Sequence, residues 1–177
     1  MPAFVVLLRG VNVGNGKRVP MAELRSMLQD LGYSNVSTLL NSGNAVFTAK
    51  QKSVANHATN IQKLIAERLG IDVPVVVKSA SELNAIVEGN SLTGKNVDPS
   101  RLLVIFSQTV AALSATAKME GLVEPPERFL LGKEAAYLLC AKGILQSKAG
   151  AALLGKGGQS ITTRNWATVL KLRAMTQ

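Results

Sequence analysis

The sequence predicts an α+β protein made of two ferredoxin-like (βαββαβ) halves with antiparallel sheets, closed by a C-terminal helix. Three observations carry that reading. Short apolar runs alternate with stretches of helical period in the order β-α-β-β-α-β over residues 1–80. A connector, 81–98, read as a short helix followed by the polar stretch that begins "EGNSLTGKNVD", interrupts the pattern. A second run of strands and helices starts at 99 and continues to 177, an imperfect structural duplication without sequence identity.

Each element has its own signal. "AFVVLLR" (3–9) is a β-branched-rich apolar run, a buried strand. Pro20 opens a helix, where its missing N–H costs nothing, and Met21, Leu24, Leu28 and Leu31 form one stripe. Gly32 closes it. "VSTLL" (36–40) and "NAVFTA" (44–49) flank "NSG", a strand–turn–strand signal. Val54, Ile61, Leu64, Ile65 and Leu69 line a second helix ended by Gly70, and "VPVVVKS" (73–79) is the fourth strand. In the second half "RLLVIFS" (101–107), "RFLLG" (128–132) and "AAYLLC" (135–140) read as strands, and 110–119 as a helix. No pattern in the Gly/Lys/Ala-rich segment 141–160 assigns the last strand of this half. A terminal helix is expected from about Arg164.

Composition bounds the function. The chain has 177 residues and 47% hydrophobic content, enough for a core. It has no apolar run long enough to span a bilayer and no basic n-region typical of a signal peptide, so a cytoplasmic protein is expected. Net charge is +9, and residues 135–177 carry six cations and no acid. Such a tail favours polyanionic partners; the alternative is a solvated basic surface.

Topology then brings residues together. In a split βαβ the exit of the first strand and the hairpin between the second and third share one end of the sheet, with the N-terminus of the first helix. "LLRGVNVGNGKRVP" (7–20) and "NSGN" (41–44) should therefore meet. Arg9, Lys17 and Arg18 supply charge; Gly10, Gly14 and Gly43 allow close backbone approach; Asn12, Asn41, Ser42 and Asn44 supply hydrogen bonds. This would suit a phosphate or carboxylate. It is neither a Walker A loop, since five residues separate Gly10 from Gly16 and Arg18 follows Lys17, nor a Rossmann fingerprint, since Val19 stands where the third glycine belongs. The alternative is a tight connection in which Gly and Asn only supply positive φ. A second constellation is "TTRNWATVLKL" (162–172). Thr162 or Thr163 would cap the last helix, Trp166, Val169 and Leu170 would face inward, and Arg164, Thr168 and Lys171 would share another face.

Catalytic signals are sparse. His57, the only histidine, lies on the second helix near its packing face, with no acid or nucleophile beside it in sequence, so a packing role is expected. Cys140 ends a strand and reads as a buried small hydrophobe. No cluster has metal spacing, no cofactor motif is present, and no carboxylates are paired. An RNA-recognition motif needs aromatics on the first and third strands; Phe4 and Phe47 are there, but the basic-Gly-aromatic signature is missing.

These residues resemble a bacterial family, the domain of unknown function 1697. Its members show R-G-x-N-V-G and V-P-M-x-x-L-R after an opening strand, here Arg9, Gly10, Asn12, Val13, Gly14, then Val19, Pro20, Met21, Leu24 and Arg25. They share an S-G-N hairpin, here Ser42, Gly43 and Asn44, and T-R-N-W-x-T-x-x-K, here Thr163, Arg164, Asn165, Trp166, Thr168 and Lys171. This chain departs in having Asn15 where Gly is frequent and Asn41 where Gln is common. The resemblance implies tandem ferredoxin-like domains and no reaction.

The expectation is a protein that binds an anionic, phosphate-bearing ligand, nucleic acid among the candidates, through the 9–18 loop, the 41–44 hairpin and a basic C-terminal helix. Arg9, Arg164 and Lys171 would be charge partners, and Asn12, Ser42, Asn44 and Asn165 orienting hydrogen bonders. The alternative is an enzyme acting on a small phosphorylated or carboxylated metabolite. No metal and no membrane partner are expected.

Overall fold

A computed structural model describes residues 1–177. Two four-stranded antiparallel sheets with interleaved helices make up the chain. By contacts it divides into Met1–Leu83 with Leu172–Gln177, and Asn84–Lys171.

The first unit runs β1 (Ala3–Leu8), α1 (Met21–Asp30), β2 (Ser34–Leu39), β3 (Asn44–Thr48), α2 (Val54–Leu69), β4 (Val75–Ser79). Sheet order is β2-β3-β1-β4, so β3 lies between β1 and β2 and antiparallel to both. That is the ferredoxin-like arrangement. Alternation along β1 turns Phe4, Val6 and Leu8 toward the helices. Leu24, Met27 and Leu28 of α1 and Ala58, Ile61 and Ile65 of α2 close that core. Met21, Leu31, Val54, Leu64 and Leu69, also placed on the stripes by period alone, pack at its margin. Gly70 caps α2 at φ +66°, and Gly32 follows α1 at φ +83°.

Helix α3 (Ala80–Glu88), which starts in the first unit and ends in the second, leads through the connector to β5 (Leu102–Ser107), α4 (Val110–Ala115), β6 (Arg128–Leu131), β7 (Ala136–Leu139), α5 (Lys148–Leu154) and β8 (Ile161–Asn165), and α6 (Trp166–Met175) returns the chain to the first unit from Leu172 onward. Sheet order is β6-β7-β5-β8, the same topology. Two expectations are corrected. The helix over 110–119 is α only to Ala115 and tightens to a 3-10 segment, Thr116–Leu122, because Thr116 turns its hydroxyl back onto the Leu113 carbonyl (2.6 Å). The last strand is Ile161–Asn165, so Arg164 lies in a strand and the final helix starts at Trp166.

Candidate functional site

In the first unit the expected loops do meet. Leu8 donates its N–H to the Gly43 carbonyl (2.8 Å) and Arg9 to Pro74 (3.0 Å). Gly10, Asn12 and Gly14 then take left-handed φ of +66°, +58° and +53°. Only Gly and Asn adopt that region at small cost, which explains the residue choice. Asn12 fixes the loop. Its Nδ2 donates to the Val19 carbonyl (2.8 Å) and to Asn41 of the hairpin (2.7 Å), and its Oδ1 accepts from the Val19 N–H (3.0 Å). Val11 and Val19 are buried beneath it.

The hairpin is equally constrained. A Cβ on Gly43 (φ +88°) would sit 2.7 Å from Leu8 Cβ and 2.8 Å from Val11 Cγ2. Asn44 is fully buried and donates to the Leu39 carbonyl (3.1 Å) and Ser42 Oγ (2.9 Å). The Asn12 amide thus ties the loop to the hairpin, and the Asn44 amide closes the hairpin on itself. Exposed groups include Gly10, Gly14, Asn15, Lys17 and Arg18, with Val13, Gly16 and Asn41 beside them and Ser42 half-buried. Lys17 Nζ rests on the Asp72 carbonyl and Arg18 Nη2 on that of Gly14, which positions both cations and leaves their charge intact. Burial pushes the Arg9 guanidinium below its ordinary range, and it stays a cation at neutral pH.

The loop leads into α1, whose N-cap is Pro20. No side chain accepts from its first-turn N–H groups. A helix start without a cap keeps its partial positive charge and free donors. Glu23 is the acid in that turn.

Arg164, Asn165, Thr168 and Lys171 lie in the second unit, in a different register from the one expected. Arg164 pairs with Val104 of β5 and lies on the sheet face away from the Ile105 and Ile161 core. Its guanidinium is 8% exposed and donates from Nη1 to Thr162 Oγ1 and to the Thr163 carbonyl (2.8 Å each). Burial pushes its pKa down to about 10, still above neutrality. The helix cap is Asn165, whose Oδ1 accepts from Thr168 N–H (2.9 Å); Thr162 and Thr163 remain in β8. Leu172, fully buried, takes the inward position expected for Leu170, which is 36% exposed. The row of Arg164, Thr168 and Lys171 along one helix face does not form.

His57 is 1% exposed, with edge contacts to Phe4, Phe47 and Tyr33 at ring centroid distances of 4.7, 5.3 and 5.0 Å. Its Nε2 lies 2.9 Å from the Gln51 carbonyl, which can only accept, so Nε2 carries the proton. Nδ1 lies 2.7 Å from the Tyr33 hydroxyl and, in the neutral imidazole, accepts from it. Tyr33 was not legible as its partner, since 24 residues separate them and only the fold joins them. Phe4 and Phe47 lie in this interior cluster instead of on an open base-stacking face. Cys140 is fully buried; burial raises its thiol pKa, partly offset by the Ser147 hydrogen bond. No group of His, Cys, Asp or Glu is placed to hold a metal ion, and no helix is long and apolar enough to cross a membrane.

Fold and loops together define an α+β protein of two ferredoxin-like halves, with a pinned, basic Gly/Asn loop at the strand exit of the first half. The chain belongs to the family described as "Protein of unknown function (DUF1697)", whose model matches residues 1–137. It is similar in structure to a conserved bacterial protein, SP0830 from Streptococcus pneumoniae, with a TM-score of 0.83 and 25% identity over 99% of both chains. No curated protein matches it.

Proposed function

We propose that this protein binds an anionic, phosphate-bearing ligand at the 9–18 loop of the first unit. The observation that carries the reading is an uncapped α1 N-terminus fed by a rigid loop that exposes Gly14, Lys17 and Arg18 and is backed by Arg9. An anion there meets free N–H groups, the positive end of the helix and formal charges in a frame already paid for by the Asn12 hydrogen bonds. Asn12 and Asn44 act as positioning residues, with Ser42 beside the ligand. In the second unit Lys171 is an exposed cation, whereas Arg164 is buried and bonded to its own strand, so Arg164 is not offered to a ligand. The second reading, an enzyme acting on a small phosphorylated or carboxylated metabolite, rests on the same pinned loop.

Fluorescence anisotropy of labelled single-stranded RNA and DNA, at low and near-physiological salt and in competition with pyrophosphate, tests this. Binding should saturate and should weaken at least about tenfold in Lys17→Gln/Arg18→Gln. A steep salt dependence, falling by about 0.7 log units per log unit of salt for each phosphate contacted, selects a nucleic acid; a shallow one selects a small ligand. Absence of both nucleic-acid and pyrophosphate binding, or indifference to the double substitution, overturns the reading.

A further inference from the structure

The acid-free C-terminal run contains a motif that the 9–18 loop does not absorb, Gly155-Lys156-Gly157-Gly158. It follows α5 and forms a short 3-10 turn, closed by Gly158 N–H on the Gly155 carbonyl (3.1 Å). This turn and the 3-10 segment Thr116–Leu122 form the two sides of a cleft of about 360 Å³, inside the roughly 300–1,000 Å³ range of small-molecule sites. Met119, Leu122 and Ala152 provide apolar wall, and Met119 is 2% exposed, so that surface belongs to the core and is fixed. Glycine at 155 and 157 leaves Lys156 as the one side chain of the turn on the opposite wall.

Lys118 and Lys156 stand at this cleft. The Lys118 ammonium lies over the glycine turn, 3.9 Å from where a Gly157 Cβ would be. Neither lysine is in an ion pair, and no residue lining the cleft is acidic. The partial charge at the end of α5, about −0.5, is well below that of two ammonium groups. The cleft is therefore apolar within and cationic at its rim.

We propose that this cleft binds a small amphipathic anion. Its alkyl or aryl body lies on Met119, Leu122 and Ala152, and its carboxylate or phosphate head sits between Lys118 and Lys156. This site belongs to the second unit and is independent of the loop at 9–18.

The test is a ¹H–¹⁵N NMR titration of the full chain with octanoate, octyl phosphate and octan-1-ol. Saturable shifts should appear at Met119, Gly155, Lys156 and Gly157 with at least one of the anions, and the alcohol should bind at least about tenfold more weakly. The tighter anion names the head group. Lys118→Gln/Lys156→Gln, whose unshifted remaining amides report an intact fold, should lose that preference. Equal binding of alcohol and anions, shifts centred elsewhere, or no saturable shift overturns the proposal.

Discussion

The two halves repeat one topology and differ most where the first strand hands over to the first helix. In the second half Gln108 and Thr109 suffice, and the Thr109 hydroxyl accepts from Ala112 N–H (3.2 Å), so α4 begins with a side-chain cap. In the first half residues 9–20 make the same connection through three left-handed residues and end at Pro20, which offers α1 no cap. The order of elements requires only the short form. The long form adds donors and charges at a helix start, and the proposed anion site rests on that difference.

Breaking the hairpin against which the long loop rests should have the largest effect. Gly43→Ala places a methyl within 2.8 Å of Leu8 and Val11 at φ +88° and should cost about 2–4 kcal/mol, read as a lower urea midpoint. Asn12→Ala should cost about 2 kcal/mol in the same assay, since it strands the Val19 N–H and two carbonyls. Gly14→Ala meets no neighbouring atom, so it isolates the left-handed φ and should cost about 1–2 kcal/mol.

Exchanging the caps sharpens the comparison at smaller amplitude. Thr109→Ala should destabilise by about 1 kcal/mol, without altering any response to phosphate. Pro20→Asp gives α1 the cap it lacks and should stabilise by about 0.5–1 kcal/mol in phosphate-free buffer. The same substitution should abolish thermal protection by pyrophosphate, because the new carboxylate occupies the donors. If protection persists in Pro20→Asp, the helix start is not where the anion sits.

Legibility followed the range of the interactions. The apolar runs and 3.6-residue stripes of the first half located its strands and helices, and the split βαβ rule brought residues 9–18 to the 41–44 hairpin. In the C-terminal region the same logic misplaced one boundary. Arg164 through Lys171 has spacing compatible with a helix face, but pairing of residues 161–165 with β5 extends Arg164 as strand, and Asn165 takes over the cap. Period alone cannot register a strand that depends on a partner some 60 residues upstream, since strand pairing is set by burial on a specific face.

By itself the sequence determined the α+β class, the order of elements in the first half, the loop–hairpin meeting and the glycines needed at positive φ, because each depends on local propensity or a general topological rule. Only the tertiary structure decided which polar side chains are structural and which remain available. Asn12 and Asn44 are held in the loops, His57 is engaged by Tyr33 and Gln51, and Arg164 is buried on a strand, while Lys17, Arg18, Lys118 and Lys156 face solvent. Availability is set by which distant backbone carbonyl or hydroxyl comes within hydrogen-bonding distance, and that is fixed only when the sheets close.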